Sequence, residues 1–316
     1  MGVGAGSASI KYRVLNNMKI GSAEWLKDRQ SGIGASEMSA ILGLSRYRSS
    51  LDIYLAKTTE PTASQDSPQS KRGRRLESVV LDMYEEDHGE VIRGEKIVSK
   101  KYPFMFASLD AARKDNGRPV EAKTAGVYAA REWGEEGTDN VPQEYIIQVA
   151  HQAIVKETDY SDIAALLTLD DFRRYTIQVD SELADMIIEA GAQFWKRVEN
   201  REPPEPTTGA EAERLYRKSK PIGIVADGQT ELNYYDLLET RKELKPLEAK
   251  EAKLIDDIKL FLGEKDSLLI GDVQKITWKT SADSTRFDAK RFQEEQPELA
   301  KKYLTQSAGS RRFLVK

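Results

Sequence analysis

The sequence predicts an α/β fold: a mixed central sheet with helices before and after it, and a helix-rich appendage beyond residue 209. Three observations predict it. Leu76, Val79, Val80, Met83 and Tyr84 recur at helical spacing. Runs of strand length, Phe104–Asp110 and Arg118–Lys123, follow around an Asn116-Gly117 turn. Finally, Arg201-Glu202-Pro203-Pro204-Glu205-Pro206, with Thr207, Thr208 and Gly209, is a stretch that no helix can cross and that marks a domain boundary.

In chain order, residues 1–21 read as a flexible start, with a Gly/Ser/Ala run from Met1 to Ser9. Ser22–Arg29 and Ser36–Leu42 read as short helices separated by the loop Gln30–Ala35, and Ser50–Lys57 as a third. Thr58–Ser70, rich in Thr, Ser, Pro and Gln, reads as an exposed loop. Arg74–His88 is the next helix, with Gly89 where it stops. Strands follow around Ile92, Ile97 and Val98, then Phe104–Asp110 and Arg118–Lys123. Pro142 opens a helix through Val155; Ile163–Leu169 and Arg174–Val179 form a hairpin, and Ser181–Val198 a further helix. Residues 22–200 thus make one domain, 201–209 a linker and 210–316 an accessory domain. In the latter, Leu237, Leu244, Leu247, Leu254, Ile258 and Leu262 mark a long helix or helical hairpin within Glu231–Leu262. Strands around Leu268–Ile270 and Gln274–Trp278 and a helical, basic tail complete it.

The chain has 316 residues, no cysteine and two histidines, His88 and His151. That removes disulfides, iron–sulfur clusters, thiolate zinc sites and cysteine nucleophiles. A metal site here must be built mainly from carboxylates and carbonyls, which suit Mg²⁺, Mn²⁺ or Ca²⁺. No apolar run approaches the ~18 residues of a membrane span, so a soluble, cytoplasmic protein is the expectation. The formal charge of −4 does not announce a polyanion binder, but basic residues cluster locally at Lys71, Arg72, Arg74 and Arg75 and at Arg46 and Arg48 around Tyr47.

Chemistry concentrates in one hairpin. Alternate residues of a strand share a face, so Glu121 and Lys123 point one way while Val120 and Ala122 point the other. A four-residue turn at Lys114–Gly117 sets Asp110 opposite Glu121, and a two-residue Asn116-Gly117 turn sets it opposite Lys123. Either register places Asp110 on the shared face, whereas a three-residue loop does not. Two carboxylates so placed can chelate one hard cation, which polarises a phosphate oxygen and a bound water. The Lys123 ammonium then holds the attacking water and offsets charge developing on the phosphate. Tyr145, Gln148 and Gln152 form one stripe on their helix. The loop Gly32-Ile33-Gly34-Ala35-Ser36 offers backbone N–H groups to a phosphate, with Arg29 adding charge.

Four ordered blocks across roughly residues 22–200 carry a resemblance. They are Arg29-x-x-Gly32-Ile33-Gly34-Ala35-Ser36-Glu37 with Ile41-Leu42-Gly43-Leu44-Ser45; Gly73-x-x-Leu76-Glu77; Asp110 with Glu121-Ala122-Lys123; and Pro142-x-x-Tyr145-x-x-Gln148. The sequence resembles the YqaJ-like phage recombinases, relatives of phage lambda exonuclease in the PD-(D/E)XK nuclease superfamily. The resemblance implies a PD-(D/E)XK core and a site in which Asp110, Glu121 and the Ala122 carbonyl bind metal and Lys123 assists the water. It further implies that Glu77 joins the metal or its water network, that Gln148 organises the site, and that Arg29 and Ser36 hold DNA phosphate. Where the family often has Gln-x-Gln-His, this chain has Gln148-Val149-Ala150-His151. The tail from Trp278 to Phe313 resembles the C-terminal extension of longer members; its basic and aromatic residues fit either DNA contact or a small core with a charged exterior.

The resemblance implies a 5′-to-3′ exonuclease on double-stranded DNA ends that uses two Mg²⁺ ions, with Mn²⁺ as a substitute. Such an enzyme leaves 3′ single strand for a single-strand annealing recombinase partner, and relatives form a trimeric ring, a homo-oligomer. Two rivals stand beside it: an endonuclease of the same superfamily, separable by its attack on closed circles, and a noncatalytic DNA-binding scaffold.

Overall fold

A computed structural model of the chain describes residues 12–15, 22–60, 67–168, 170–305 and 309–315. It divides into two units, Met1–Ala212 and Glu213–Lys316.

The first unit is built on a seven-stranded mixed sheet. Its strands are β1 (Tyr12–Leu15), β2 (Ile33–Gly34), β3 (Val91–Ser99), β4 (Met105–Arg113), β5 (Pro119–Thr124), β6 (Tyr160–Leu166) and β7 (Phe172–Gln178). The order is β1-β3-β4-β5-β6-β7, with β2 pairing to β4. β3, β4 and β5 form an antiparallel meander. β5 and β6 run parallel, a pairing that requires a crossover, and helix α5 (Gln143–Lys156) lies in that connection. β6 and β7 close the sheet as an antiparallel hairpin.

The alternation of β5 and β6 is read out by the two helices covering them. Val80, Leu81 and Tyr84 of α4 (Pro68–His88) pack with Ala111, Val120 and Ala164. On the other face, Val149 of α5 packs with Ile163, Ala165, Tyr175, Ile177 and Trp133. Consecutive residues 163, 164 and 165 therefore enter opposite cores, as the period of a strand demands. A buried polar group ties α4 to the sheet: the Asp162 carboxylate accepts hydrogen bonds from Tyr84 (2.5 Å), Thr176 (2.7 Å) and Arg118 (3.1 Å). Helices α1 (Ala23–Arg29), α2 (Ala35–Ile41), α3 (Ser50–Thr58) and α6 (Ser181–Asn200) complete the unit, followed by α7 (Gly209–Leu215), which runs across the division and which the sequence reading lacked.

Three expectations are corrected. Residues 12–15 of the start expected to be flexible form β1, paired antiparallel with β3; the remainder of residues 1–21 lies outside the described residues. Within Thr58–Ser70, residues 61–66 lie outside the described residues, but the helix begins at Pro68, not Arg74. Ser67 caps it, its hydroxyl accepting from the Ser70 N–H at 3.0 Å, and Pro68 supplies the preset first turn. Lys71, Arg72, Arg74 and Arg75 thus lie in α4 rather than before it. Lastly, Ile33 and Gly34 of the expected loop are strand β2, because the Ile33 N–H donates to the Phe104 carbonyl at 2.6 Å.

The second unit contains α8, one unbroken helix over Gly228–Leu262 with Pro246 inside it, so the helical-hairpin option does not apply. The hairpin β8 (Ser267–Ile270) and β9 (Val273–Thr277) turns at Gly271, whose φ of 59° suits glycine. Helices α9 (Ala289–Glu295) and α10 (Pro297–Tyr303) follow. Among the described residues of both units, no helix is long and apolar enough to cross a membrane.

Candidate metal and phosphate site

The site forms where β4 and β5 part company. Their ladder pairs Ala111 with Val120 and Ala112 with Pro119, and the Arg113 N–H reaches the Arg118 carbonyl across the four-residue turn Lys114–Gly117 at 2.8 Å. Continued by one step, this register sets Asp110 opposite Glu121. Beyond that point β5 leaves, and β2 takes up the same edge of β4 at Met105 and Phe106. The Ala122 N–H, released from the ladder to β4, donates instead to the Asp110 carboxylate at 2.9 Å.

Glu121 and Lys123, one pleat apart on β5, are joined by an ion pair of 2.6 Å. From α5, Gln148 receives a bond from the Lys123 ammonium at 3.0 Å and donates one to Glu121 Oε1 at 2.6 Å. Gln152, one turn on, donates to Glu121 Oε2 at 2.6 Å. Both oxygens of this buried carboxylate are therefore held, one by each glutamine. The Lys123 ammonium also sits 4.8 Å from the centre of the Tyr145 ring, which stacks on Trp133 at 5.3 Å.

Electrostatics mark the cluster as short of positive charge. Burial, then the neighbouring Glu121 and Glu77 charges, push the Asp110 carboxyl well above the usual carboxylate range, against the pull of Lys123. Half-buried Glu77, on α4, is raised in the same way by burial and by Glu121. Burial alone would lower the Lys123 ammonium, but Glu121 and Asp110 outweigh it and hold the group protonated. Three carboxylates thus act on one another around the Lys123 ammonium, with Arg74 offsetting Glu77. Among the described residues, no three Asp, Glu or His side chains already converge on a single point. Asp110 and Glu121 nevertheless bring carboxylate oxygens to one face of the hairpin, and oxygen donors are the kind that fit a hard divalent ion.

Arg29 and Ser36 belong to a second cluster. Glu37 of α2 is buried and accepts from Arg29 (2.8 Å), Lys57 of α3 (2.6 Å) and the Gly34 N–H (2.8 Å). Burial alone would raise this carboxyl, yet Arg29 and Lys57 hold it at about 2. Arg29 also lies over the Trp25 and Phe106 rings, at 5.0 and 5.8 Å. Phe106 and Asp110 share one face of β4, four residues or roughly 13 Å apart. Ser36 is exposed at the second position of α2, whose cap is Gly34. The expectation that the Gly32–Ser36 backbone lies open to a phosphate is corrected at two positions: the Ile33 and Gly34 N–H groups are already used within the chain.

α5 connects the clusters. One residue before Gln152, buried His151 bonds the Phe106 carbonyl through Nε2 at 3.0 Å, so that nitrogen carries the proton. Burial lowers its pKa to about 4. The structure therefore gathers Asp110, Glu121, Ala122, Lys123 and Gln148, brings Glu77 into electrostatic range, sets Arg29 in a second cluster on Glu37 and leaves Ser36 exposed beside it in sequence. Sequence reasoning passed over Gln152 and Tyr145 as site residues; their spacing with Gln148 on one helical stripe was the available signal.

Comparison with known proteins shows what the chain is similar to. Residues 24–161 match the YqaJ-like viral recombinase domain. The uncharacterized protein YqaJ of Bacillus subtilis (strain 168) is 28% identical over 313 residues, covering 95% of this chain and 96% of that protein. Among solved structures, an alkaline exonuclease from Laribacter hongkongensis is 19% identical with a TM-score of 0.48, covering 57% of this chain and 94% of that one. A phage related exonuclease from Haemophilus somnus 129PT is 13% identical with a TM-score of 0.42, covering 54% and 96%. The segment that carries Asp110, Glu121, Lys123 and Gln148 lies wholly within the residues that match the YqaJ-like viral recombinase domain.

Proposed function

We propose that this chain is a divalent-metal-dependent deoxyribonuclease that digests the 5′-ended strand of duplex DNA from its ends, leaving 3′ single strand for an annealing recombinase. The observation that carries the reading is the gathering of Asp110, Glu121 and Lys123 on one hairpin, where the Ala122 N–H donates to Asp110 at 2.9 Å and Lys123 pairs with Glu121 at 2.6 Å, within the residues that match the YqaJ-like viral recombinase domain.

In this reading Asp110, Glu121 and the Ala122 carbonyl hold Mg²⁺, with Glu77 reaching the ion or its waters. The ion, when bound, polarises the scissile phosphate and lowers the pKa of a bound water. Gln148 and Gln152 keep the Glu121 carboxylate from rotating, so its oxygens stay aimed. Lys123, kept cationic by the two acids, donates a hydrogen bond to the attacking water or to the phosphoryl oxygen as negative charge grows there. Arg29 and Ser36 contact backbone phosphate beside the cluster. Mn²⁺ substitutes for Mg²⁺, as it suits the same oxygen donors.

The test uses linear and covalently closed duplexes, labelled at a chosen position, with Mg²⁺ or EDTA, alongside Lys123→Ala. Release of nucleotides from 5′ ends of linear DNA only, abolished by EDTA and greatly reduced in the variant, is the expected result. Cutting of the closed circle converts the reading to an endonuclease, and inertness of the wild type on both substrates with Mg²⁺ overturns it.

A further inference from the structure

Two loops linked to the Lys123 cluster carry aromatic side chains that the chemistry above leaves unused. Tyr47 is 82% exposed and Tyr128 is 84% exposed, more than any other large apolar side chain among the described residues of the first unit. Both belong to the neighbourhood of Lys123. Tyr128 follows it by five residues, in the loop leaving β5. Tyr47 stands in the loop between α2 and α3, and its neighbour Arg46 bonds Glu132 at 2.7 Å. Glu132 adjoins Trp133, which stacks on Tyr145, which in turn lies over the Lys123 ammonium. Tyr47 is close enough to Tyr145 to act on it electrostatically. The Arg46–Glu132 pair thus binds the Tyr47 loop to the turn that begins at Tyr128.

We propose that Tyr47 and Tyr128 form a stacking rim that receives the unpaired bases of a DNA end as one strand enters the site. The proposal deepens the nuclease reading and rests on it.

Three features select this ligand. Two rings held in water on linked loops are free to be covered by a ligand, and a phenol ring presents the flat face on which a nucleobase stacks. Cationic groups flank both rings: Arg48 follows Tyr47, whose other neighbour Arg46 is paired with Glu132, and the Arg131 guanidinium lies 5.7 Å from the centre of the Tyr128 ring. That pattern of aromatic and cationic side chains matches a single strand, whose phosphates seek positive charge while its bases offer open faces. A paired base inside a duplex offers only its edges, so a stacking rim distinguishes an opened end from an intact helix. The rim also suits a reaction confined to one strand, because that strand must part from its complement before its phosphate reaches Asp110 and Glu121.

The experiment compares the full-length wild type with Tyr47→Ala/Tyr128→Ala and Tyr47→Phe/Tyr128→Phe. Binding is read by fluorescence anisotropy in EDTA on a blunt duplex and on the same duplex with a short unpaired 5′ end carrying 2-aminopurine, whose emission reports stacking. The double alanine variant is expected to bind the tailed duplex at least ~10-fold more weakly than wild type and to lose the 2-aminopurine signal. Its affinity for the blunt duplex and its circular dichroism remain those of wild type, and the phenylalanine variant behaves as wild type on both duplexes. Equal binding of tailed DNA by wild type and the alanine variant overturns the proposal. So does an equal loss on both duplexes, a failure of the phenylalanine variant, or failure of the wild type to bind the tailed duplex. Nucleotide release with Mg²⁺ is measured separately: a wild type that stacks the tail but releases no nucleotide refutes the nuclease reading and leaves the rim standing.

Discussion

Lys123 is the residue on which the proposed chemistry turns, because it is the ammonium bonded directly to a carboxylate of the cluster. Lys123→Ala is expected to lower the rate of Mg²⁺-dependent cleavage by about 10²–10³, the range for losing one oriented donor at a developing charge. Single-turnover assays with enzyme in excess over DNA and above the Kd check this. Gln152 acts through Glu121 rather than on substrate. Gln152→Met keeps the shape and removes the donor, and is expected to weaken Mn²⁺ binding, measured by titration calorimetry, by roughly 10- to 100-fold. Unchanged Mn²⁺ affinity would reduce Gln152 to a packing residue. His151 supplies a pH dependence. Its folded pKa of about 4 lies below the unfolded value of 6.5, so the unfolded chain binds the extra proton as pH falls. The corresponding stability, on the order of 3 kcal/mol, is complete above about pH 6.5 and is lost as pH falls through about 4. Glu37, held at about 2 against an ordinary 4.5, adds a second loss of the same sign at lower pH. Urea unfolding at pH 7.5 and 4.5 should show a smaller difference for His151→Gln than for wild type.

At the scale of elements, the site depends on how β4 changes partners. β2 reaches β4 only because Gly32 has no side chain: a Cβ there would lie 2.8 Å from the Phe104 carbonyl oxygen, the same oxygen that accepts the Ile33 N–H. Gly32→Ala is expected to cost about 1–3 kcal/mol and to speed hydrogen exchange at the Ile33 amide, and native exchange there would show that β2 adjusts without loss. These elements differ in how visible they were beforehand. The β4–β5 hairpin was legible because its alternation is strong and its Asn-Gly turn narrows the register to two choices, of which the structure adopts the four-residue turn. β2 was not, since a strand of two residues, one of them glycine, carries no period. The first two turns of α4 are polar and exposed, so they show no apolar stripe, although Ser67-Pro68 is a start signal in its own right. Gln152 was hidden for a related reason: a glutamine on a helical stripe looks the same whether it meets solvent or a carboxylate.

Across the whole molecule, the two core clusters around α4 and α5 draw only on residues of the first unit. A chain ending after α7, at Leu215, is therefore expected to unfold in a single cooperative urea transition, followed by circular dichroism. A broad or multiphasic transition would mean that the second unit completes the fold. The second unit was legible only in outline: the spacing of Leu237, Leu244 and Leu247 implied a helix, but could not distinguish one straight helix from two, because Pro246 falls where a bend would serve equally well.

The four-residue turn between β4 and β5 also sets a rule for how this protein can vary over generations. Each residue inserted into or deleted from Lys114–Gly117 shifts the pairing of Asp110 by one, and strands have a period of two. Length changes of even number return the carboxylate to the face of Glu121, while odd ones turn it toward the α4 core and leave the hairpin otherwise able to form. Homologous lineages should therefore tolerate indels here by parity, much as a coding sequence tolerates them by threes.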